Sequence, residues 1–145
     1  MFRFLVVLIF TSSFIGAAWA GTLKAEAELR PLADRIMGNL VNGGIPAAFT
    51  TMKPYVVLHE SEFQSSALAS QSQREQFGAR YGKTVGFEFI GQKKLGESLV
   101  RLTYIEKTEK HALPWLFYFY RTPGGWVLNS FIWNDQMPQL FVTER

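Results

Sequence analysis

The stretch Leu113-Pro-Trp-Leu-Phe-Tyr-Phe-Tyr-Arg121, then Thr122-Pro-Gly-Gly125, then Trp126-Val-Leu-Asn-Ser-Phe-Ile-Trp133 limits the possible folds of this chain more than any other. Aromatic and β-branched residues favour the pleated surface of a sheet. Pro123 presets its φ, and glycine tolerates the positive φ that tight turns demand, so the stretch predicts two strands joined by a short turn. Trp115, Phe117 and Phe119 alternate with Leu116, Tyr118 and Tyr120, and Val127, Phe131 and Trp133 are expected to oppose Trp126, Leu128 and Ile132. Strands apolar on both faces are usually covered on both. One face then lies on helices, and the other meets a partner chain, a ligand or the tail Met137–Phe141.

Two further strands precede this hairpin. In the first, Val85, Phe87 and Phe89 share a face and Glu88 lies opposite; Gly91 to Gly96 reads as a turn, with Lys93-Lys94 as a solvated basic pair. A strand from Ser98 to Lys107 follows, with Val100, Leu102 and Tyr104 on one side and Arg101 and Thr103 on the other. Before Thr84 the periodicity is helical. Leu29, Leu32, Ile36 and Leu40 mark one face of a helix over Leu23–Val41. Pro31 means that it bends there or begins there. Asn42-Gly43-Gly44 is a stop signal. A short helix is expected over Ile45–Tyr55, with Pro46 in its first turn, and a longer one over Ser61–Arg80, with Ser61 as its cap. In that last helix Phe63, Ala67, Ser70, Arg74 and Phe77 form a thin buried side, and Tyr81-Gly82 ends it. Helices first and strands after predict an α+β fold with a mostly antiparallel sheet of four to five strands.

Composition bounds the function classes. With 145 residues, 48% of them hydrophobic, the chain suits one packed domain. A net charge of +3 without a basic stripe does not suggest a nucleic-acid partner. There is no cysteine, which excludes disulfides, a thiolate nucleophile, a Cys-ligated metal and a lipid anchor on an amino-terminal cysteine. Arg3, the apolar run Phe4–Phe10 and the small-x-small site Ala18-Trp19-Ala20 have the layout of a cleavable signal peptide over residues 1–20. The expectation is an exported domain over residues 21–145, periplasmic or secreted, with no membrane association after cleavage.

In this order of elements, with Tyr81-Gly82 closing the last helix and Leu113–Arg121 leading through Gly124-Gly125-Trp126 to Phe131, the chain resembles the NTF2-like group, also called the cystatin-like α+β cone. The Leu113–Phe131 stretch is similar to the carboxy-terminal hairpin of small exported members without an assigned activity. The resemblance implies three amino-terminal helices packed on a strongly curved sheet. It also implies a pocket at the open end of the cone and homodimers through the outer sheet face. The fold hosts many unrelated activities.

Enzymes of that group, such as ketosteroid isomerases and polyketide cyclases, use pocket acids or histidines, because a carboxyl in an apolar pocket has a raised pKa and can move protons near neutral pH. The available groups are Asp34, His59, Glu60, Glu88, His111 and Asp135. None aligns with an enzymatic pattern, so no catalytic residue is assigned. The two histidines are far apart and lack a carboxylate at ligand spacing, so neither metal nor cofactor is expected. Glu88 and Arg101 interrupt apolar strands and would form a cross-strand ion pair in a suitable register. Alternatively, Arg101 would hold a ligand carboxylate. The pocket candidates are Asp34, Tyr55, Glu88, Arg101, Tyr104, Trp115 and Tyr118. The leading expectation is a non-catalytic exported protein that binds an apolar or amphipathic small molecule or docks on an envelope protein. The alternatives are a cofactor-free isomerase, dehydratase or lyase acting by general acid/base catalysis, and a structural dimer with a filled cone.

Overall fold

The structure is a computed structural model and describes residues 21–142. The expected leader over residues 1–20 lies outside the described residues. Helices α1 (Leu29–Met52) and α2 (Glu60–Tyr81) precede strands β1 (Thr84–Leu95), β2 (Leu99–Thr108), β3 (Ala112–Thr122) and β4 (Gly125–Trp133). The strands form one antiparallel sheet in sequence order, β1-β2-β3-β4. The fold is therefore α+β, helices on a curved, open, four-stranded sheet, compatible with a cone-like architecture. Among the described residues no helix is long and apolar enough to cross a membrane.

Two helices are found where three were expected. The Asn42-Gly43-Gly44 stop breaks the helical backbone at Gly44 (φ 71°, ψ −165°), but the chain resumes helix at once and α1 continues to Met52. Pro31 stands in the first turn of α1, where a missing N–H costs no hydrogen bond. The helix starts later than Leu23 because Leu23 exchanges backbone hydrogen bonds with Trp126 at the edge of β4. Val56 forms a second single bridge, to Leu128. These two contacts cover an edge strand that would otherwise present unpaired backbone groups. At the end of α2, Gly82 takes φ 85°, and a Cβ there would run into the Glu109 carboxylate. That carboxylate accepts the Lys83 N–H at 2.9 Å and ties the helix end to the β2–β3 turn.

The sheet departs from simple alternation at three places. Shifts lie between Thr84 and Gly86 and between Phe89 and Gly91. The first leaves Val85 exposed instead of facing inward with Phe87 and Phe89. The second lets β1 run on to Leu95, so Gly91–Leu95 is strand and only residues 96–98 turn. The third shift lies between Tyr118 and Phe119, where Ser130 and Leu128 are the successive partners. The extra residue, Asn129, puts Leu128 on the same face as Phe131 and Trp133, contrary to the alternation expected for β4. A bulge shifts the side-chain parity of a strand by one.

The core lies between α1 and the inner sheet face. Leu32, Ile36, Met37, Leu40 and Met52 meet Leu102, Tyr104, Trp115, Phe117 and Phe119, all fully buried. The Trp115 and Trp133 rings stack at 5.1 Å, and Phe49 and Phe131 meet edge to face at 5.4 Å. Because left-handed φ strains any residue with a Cβ, Gly82→Ala is expected to destabilise the fold by at least about 1 kcal/mol in urea unfolding. Gly38→Ala is the control, since a Cβ there meets nothing within 4 Å.

Candidate functional site

Three polar clusters and one groove carry the functional groups. The first cluster is inside. Val100, Leu102, Tyr104 and Glu106 share the inward parity of β2, so a carboxylate is delivered to the core. Glu106 is fully buried and accepts from Arg74 Nε at 2.9 Å, from Trp115 Nε1 at 3.1 Å and from the Thr84 hydroxyl. Thr84 in turn accepts from Arg74 Nη2 at 2.6 Å. One helical turn before Arg74, Ser70 accepts from Trp133 Nε1 at 3.0 Å. Every donor that faces Glu106 is matched, which is the condition for holding a charge in a core. This group holds the fold together and has no room for a substrate.

The second cluster is at the α1–sheet junction. Tyr104 donates to Asp34 Oδ1 at 2.7 Å. Arg30 lies 3.7 Å from Asp34 and stacks over Phe89 at 3.9 Å. Burial first, and the Asp34 carboxylate second, push the Tyr104 hydroxyl well above its ordinary pKa. It is therefore a hydrogen-bond donor locked in its protonated form. The third cluster sits where α2 ends. Tyr81 donates to Asp135 Oδ2 at 2.9 Å and stacks on His111 at 4.3 Å, and His111 Nε2 lies 3.1 Å from the Asp135 carbonyl. The Tyr81 hydrogen bond holds the Asp135 carboxyl below its usual range. His111 and Asp135, 24 residues apart in sequence, are thus partners. Glu60 pairs with Lys53 at 2.7 Å on the surface.

The groove is on the other side of the sheet. The tail turn Met137–Phe141 lies across the outer face and roofs a cavity of about 280 Å³, walled by Ile90, Thr103, Leu116 and Leu140 with Lys93 and Arg101. A neighbouring cavity of about 140 Å³ shares Lys93 and Arg101 and adds Leu95, Leu99 and Tyr118. Lys93 and Arg101 are direct cross-strand partners, and Arg101 is opposite Tyr118 on its other side.

The seven pocket candidates are therefore distributed over the molecule. Arg101 and Tyr118 meet in the outer groove. Asp34 and Tyr104 meet at the α1 junction. Trp115 is inside, on Glu106. Tyr55 lines a separate depression with Pro31 and Arg35. Glu88 is exposed, and its partner in register is Ile105, not Arg101, so the expected Glu88–Arg101 pair does not form. Sequence reasoning missed Glu106, although its place on the inward parity after Val100, Leu102 and Tyr104 was a usable signal. It also missed Lys93, which the extension of β1 carries out of the expected turn and into the groove. Among the described residues no group of three His, Asp or Glu side chains is placed to hold a metal ion.

The chain was compared with protein-family models and with curated proteins, and it matches none of either.

Glu106→Ala takes the carboxylate away from the partly buried Arg74 and leaves the buried Trp115 N–H without its acceptor, so it is expected to lower stability by about 3 kcal/mol in urea unfolding. Glu88→Ala is expected to stay within about 0.5 kcal/mol of wild type. Tyr81→Phe removes the donor to Asp135, and an NMR titration should show that carboxyl's pKa rising toward its ordinary value. The sign is fixed by linkage. A depressed folded pKa contributes stability above the unfolded value that is lost as pH falls through the folded one, so the variant should lose less stability than wild type on acidification.

Proposed function

We propose that this is an exported, non-catalytic protein of the NTF2-like type that holds a small apolar or amphipathic molecule in the groove between its outer sheet face and its carboxy-terminal tail. The observation that carries the reading is where the open space lies. The inner face is filled by Tyr104, Trp115, Phe117 and Phe119, each fully buried, whereas the outer groove is open and mixed in character, with Gln92, Lys93, Arg101, Thr103 and Gln139 beside Ile90, Leu116, Leu140 and Val142. Such a lining suits an amphipathic molecule better than a purely apolar one, and about 280 Å³ is just below the usual range of small-molecule sites, about 300–1,000 Å³. The signal-peptide layout of residues 1–20 supports export.

A homodimer through the same sheet face is the second part of the reading, supported by Ile132 (50% exposed) and Tyr120 (40% exposed) on the β3–β4 side. Pairing there leaves the groove on the β1–β2 side outside the dimer interface.

The neutral probe N-phenylnaphthylamine is expected to brighten on binding at one site per chain. Leu116→Trp, which fills the groove, should abolish the signal while leaving the circular dichroism spectrum unchanged. No brightening, or brightening that Leu116→Trp does not alter, defeats the ligand reading. Light scattering is expected to give a dimer that Ile132→Glu converts to a monomer. A wild-type monomer at high concentration defeats the dimer.

A further inference from the structure

We propose that removal of the leader completes the fold: the amino group released at Gly21 binds the helix end at Pro54 and fastens the first residues of the mature chain to the open edge of the sheet. This rests on the reading of residues 1–20 as a cleaved leader and adds what the cut does to the protein. Three segments meet at that edge. Leu23 donates to the Trp126 carbonyl at 2.9 Å and accepts from the Trp126 N–H at 2.7 Å, which makes one antiparallel bridge to β4. Val56 bridges Leu128 on the same strand. The Gly21 N–H donates to the Pro54 carbonyl and so joins the first segment to the second.

The fit is close at both ends. A Cβ on Gly21 would stand 2.9 Å from the Pro54 oxygen, and one on Gly125 would stand 2.7 Å from the Leu23 oxygen. Gly125 also takes φ 133°, a conformation that favours glycine. The residue that must lack a side chain to approach Pro54 is thus the one that directly follows the small-x-small site Ala18-Trp19-Ala20. Pro54 lies in the 3-10 turn Lys53–Tyr55, which continues α1, and Lys53 of that turn is paired with Glu60 at 2.7 Å. The last carbonyls of a helix lack helical partners and carry the negative end of its dipole.

Hydrolysis of the Ala20–Gly21 bond adds one water. The carboxylate stays on Ala20, and Gly21 keeps the amine, which takes up a proton. An uncut chain offers Pro54 a neutral N–H, whereas the cut chain offers an ammonium. Hydrogen bonds from a charged donor are roughly twice as strong as neutral ones, and a cation at a helix carboxy terminus is stabilising. The edge of β4 is therefore held most firmly in the processed protein. A covered edge no longer templates pairing with another chain.

The test begins with protein purified from its own host, whose first residue, read by mass spectrometry, is expected to be Gly21. Three forms are then compared: the chain beginning at Gly21 with a free amine, the same chain acetylated at Gly21, and a chain beginning at Ala18. Acetylation keeps the N–H donor and removes the charge, and the longer chain carries the charge away from Pro54. In urea unfolding the free-amine form is expected to have a folding equilibrium constant about two- to fivefold above either of the others, the scale of a cation at a helix end. The Leu23 and Trp126 amides are expected to exchange with solvent more slowly in that form by at least the same factor. Equal stability and equal exchange in all three forms overturn the proposal and leave the leader reading standing. A different first residue, or a chain that still carries residues 1–20, overturns the leader reading and the proposal with it.

Discussion

One buried carboxylate fixes where helix α2 lies on the sheet. Its apolar stripe is thin: Phe63 is its only large side chain fully in the core, with Ala67, Phe77 and Tyr81 partly covered. Glu106 supplies what that stripe lacks. It gathers Arg74 from the helix, Thr84 from β1 and Trp115 from β3, so one residue fixes three elements against one another. A buried pair of this kind adds little net stability over a well-packed apolar substitute, but losing one member leaves a stranded charge. Its chief effect here is therefore to specify position. Among the ways α2 can lie over a ring-filled surface, only one brings Arg74 within reach of Glu106.

With α2 fixed, the inner face closes on itself. Trp115 stacks on Trp133, Phe77 meets Trp133 edge to face, and Tyr104 lies between Phe89 and Phe117. Aromatic rings bury large areas and prefer these tilted and offset arrangements, so they fill the curved interior of the sheet. The polar ends of these residues are spent on fixed partners: Tyr104 on Asp34, Trp115 on Glu106 and Trp133 on Ser70. The interior that a cone could have offered to a ligand is thereby used for the fold.

The outer face inherits what the bulges and the tail leave. The shift at Phe89–Gly91 carries β1 through Lys93 to Leu95, and the tail turn crosses the sheet above Arg101 and Leu116. Neither element alone makes a groove. A pleated surface is too flat to enclose a small molecule, and the tail supplies the second wall. The Tyr81–Asp135 and His111–Asp135 contacts hold the root of that tail, so the geometry of the groove is linked to the end of α2.

The sequence by itself determined the fold class and most of the parity. Helical spacing in α1, the aromatic alternation of β3, the Pro-Gly turn and the glycine that ends α2 are local signals, each set by backbone sterics or side-chain period within a few residues. The faces of Trp115, Phe117 and Phe119 were legible for that reason. The number of helices was not, because Asn42-Gly43-Gly44 signals a break equally well whether the next helix is separate or continuous. Nor were the true register partners of Glu88 and Arg101, which are Ile105 and Lys93, because β1 runs on to Leu95 and the chain turns at residues 96–98 and not across Gly91–Gly96. The tertiary structure alone decided that Ser70 and Arg74 would meet Trp133 and Glu106, that Asp34 would meet Tyr104, and that Lys93 would stand opposite Arg101. Such contacts join residues far apart in the chain, and no short-range preference encodes them. They follow from register, and register is fixed only when the rings of the inner face find their places against α1.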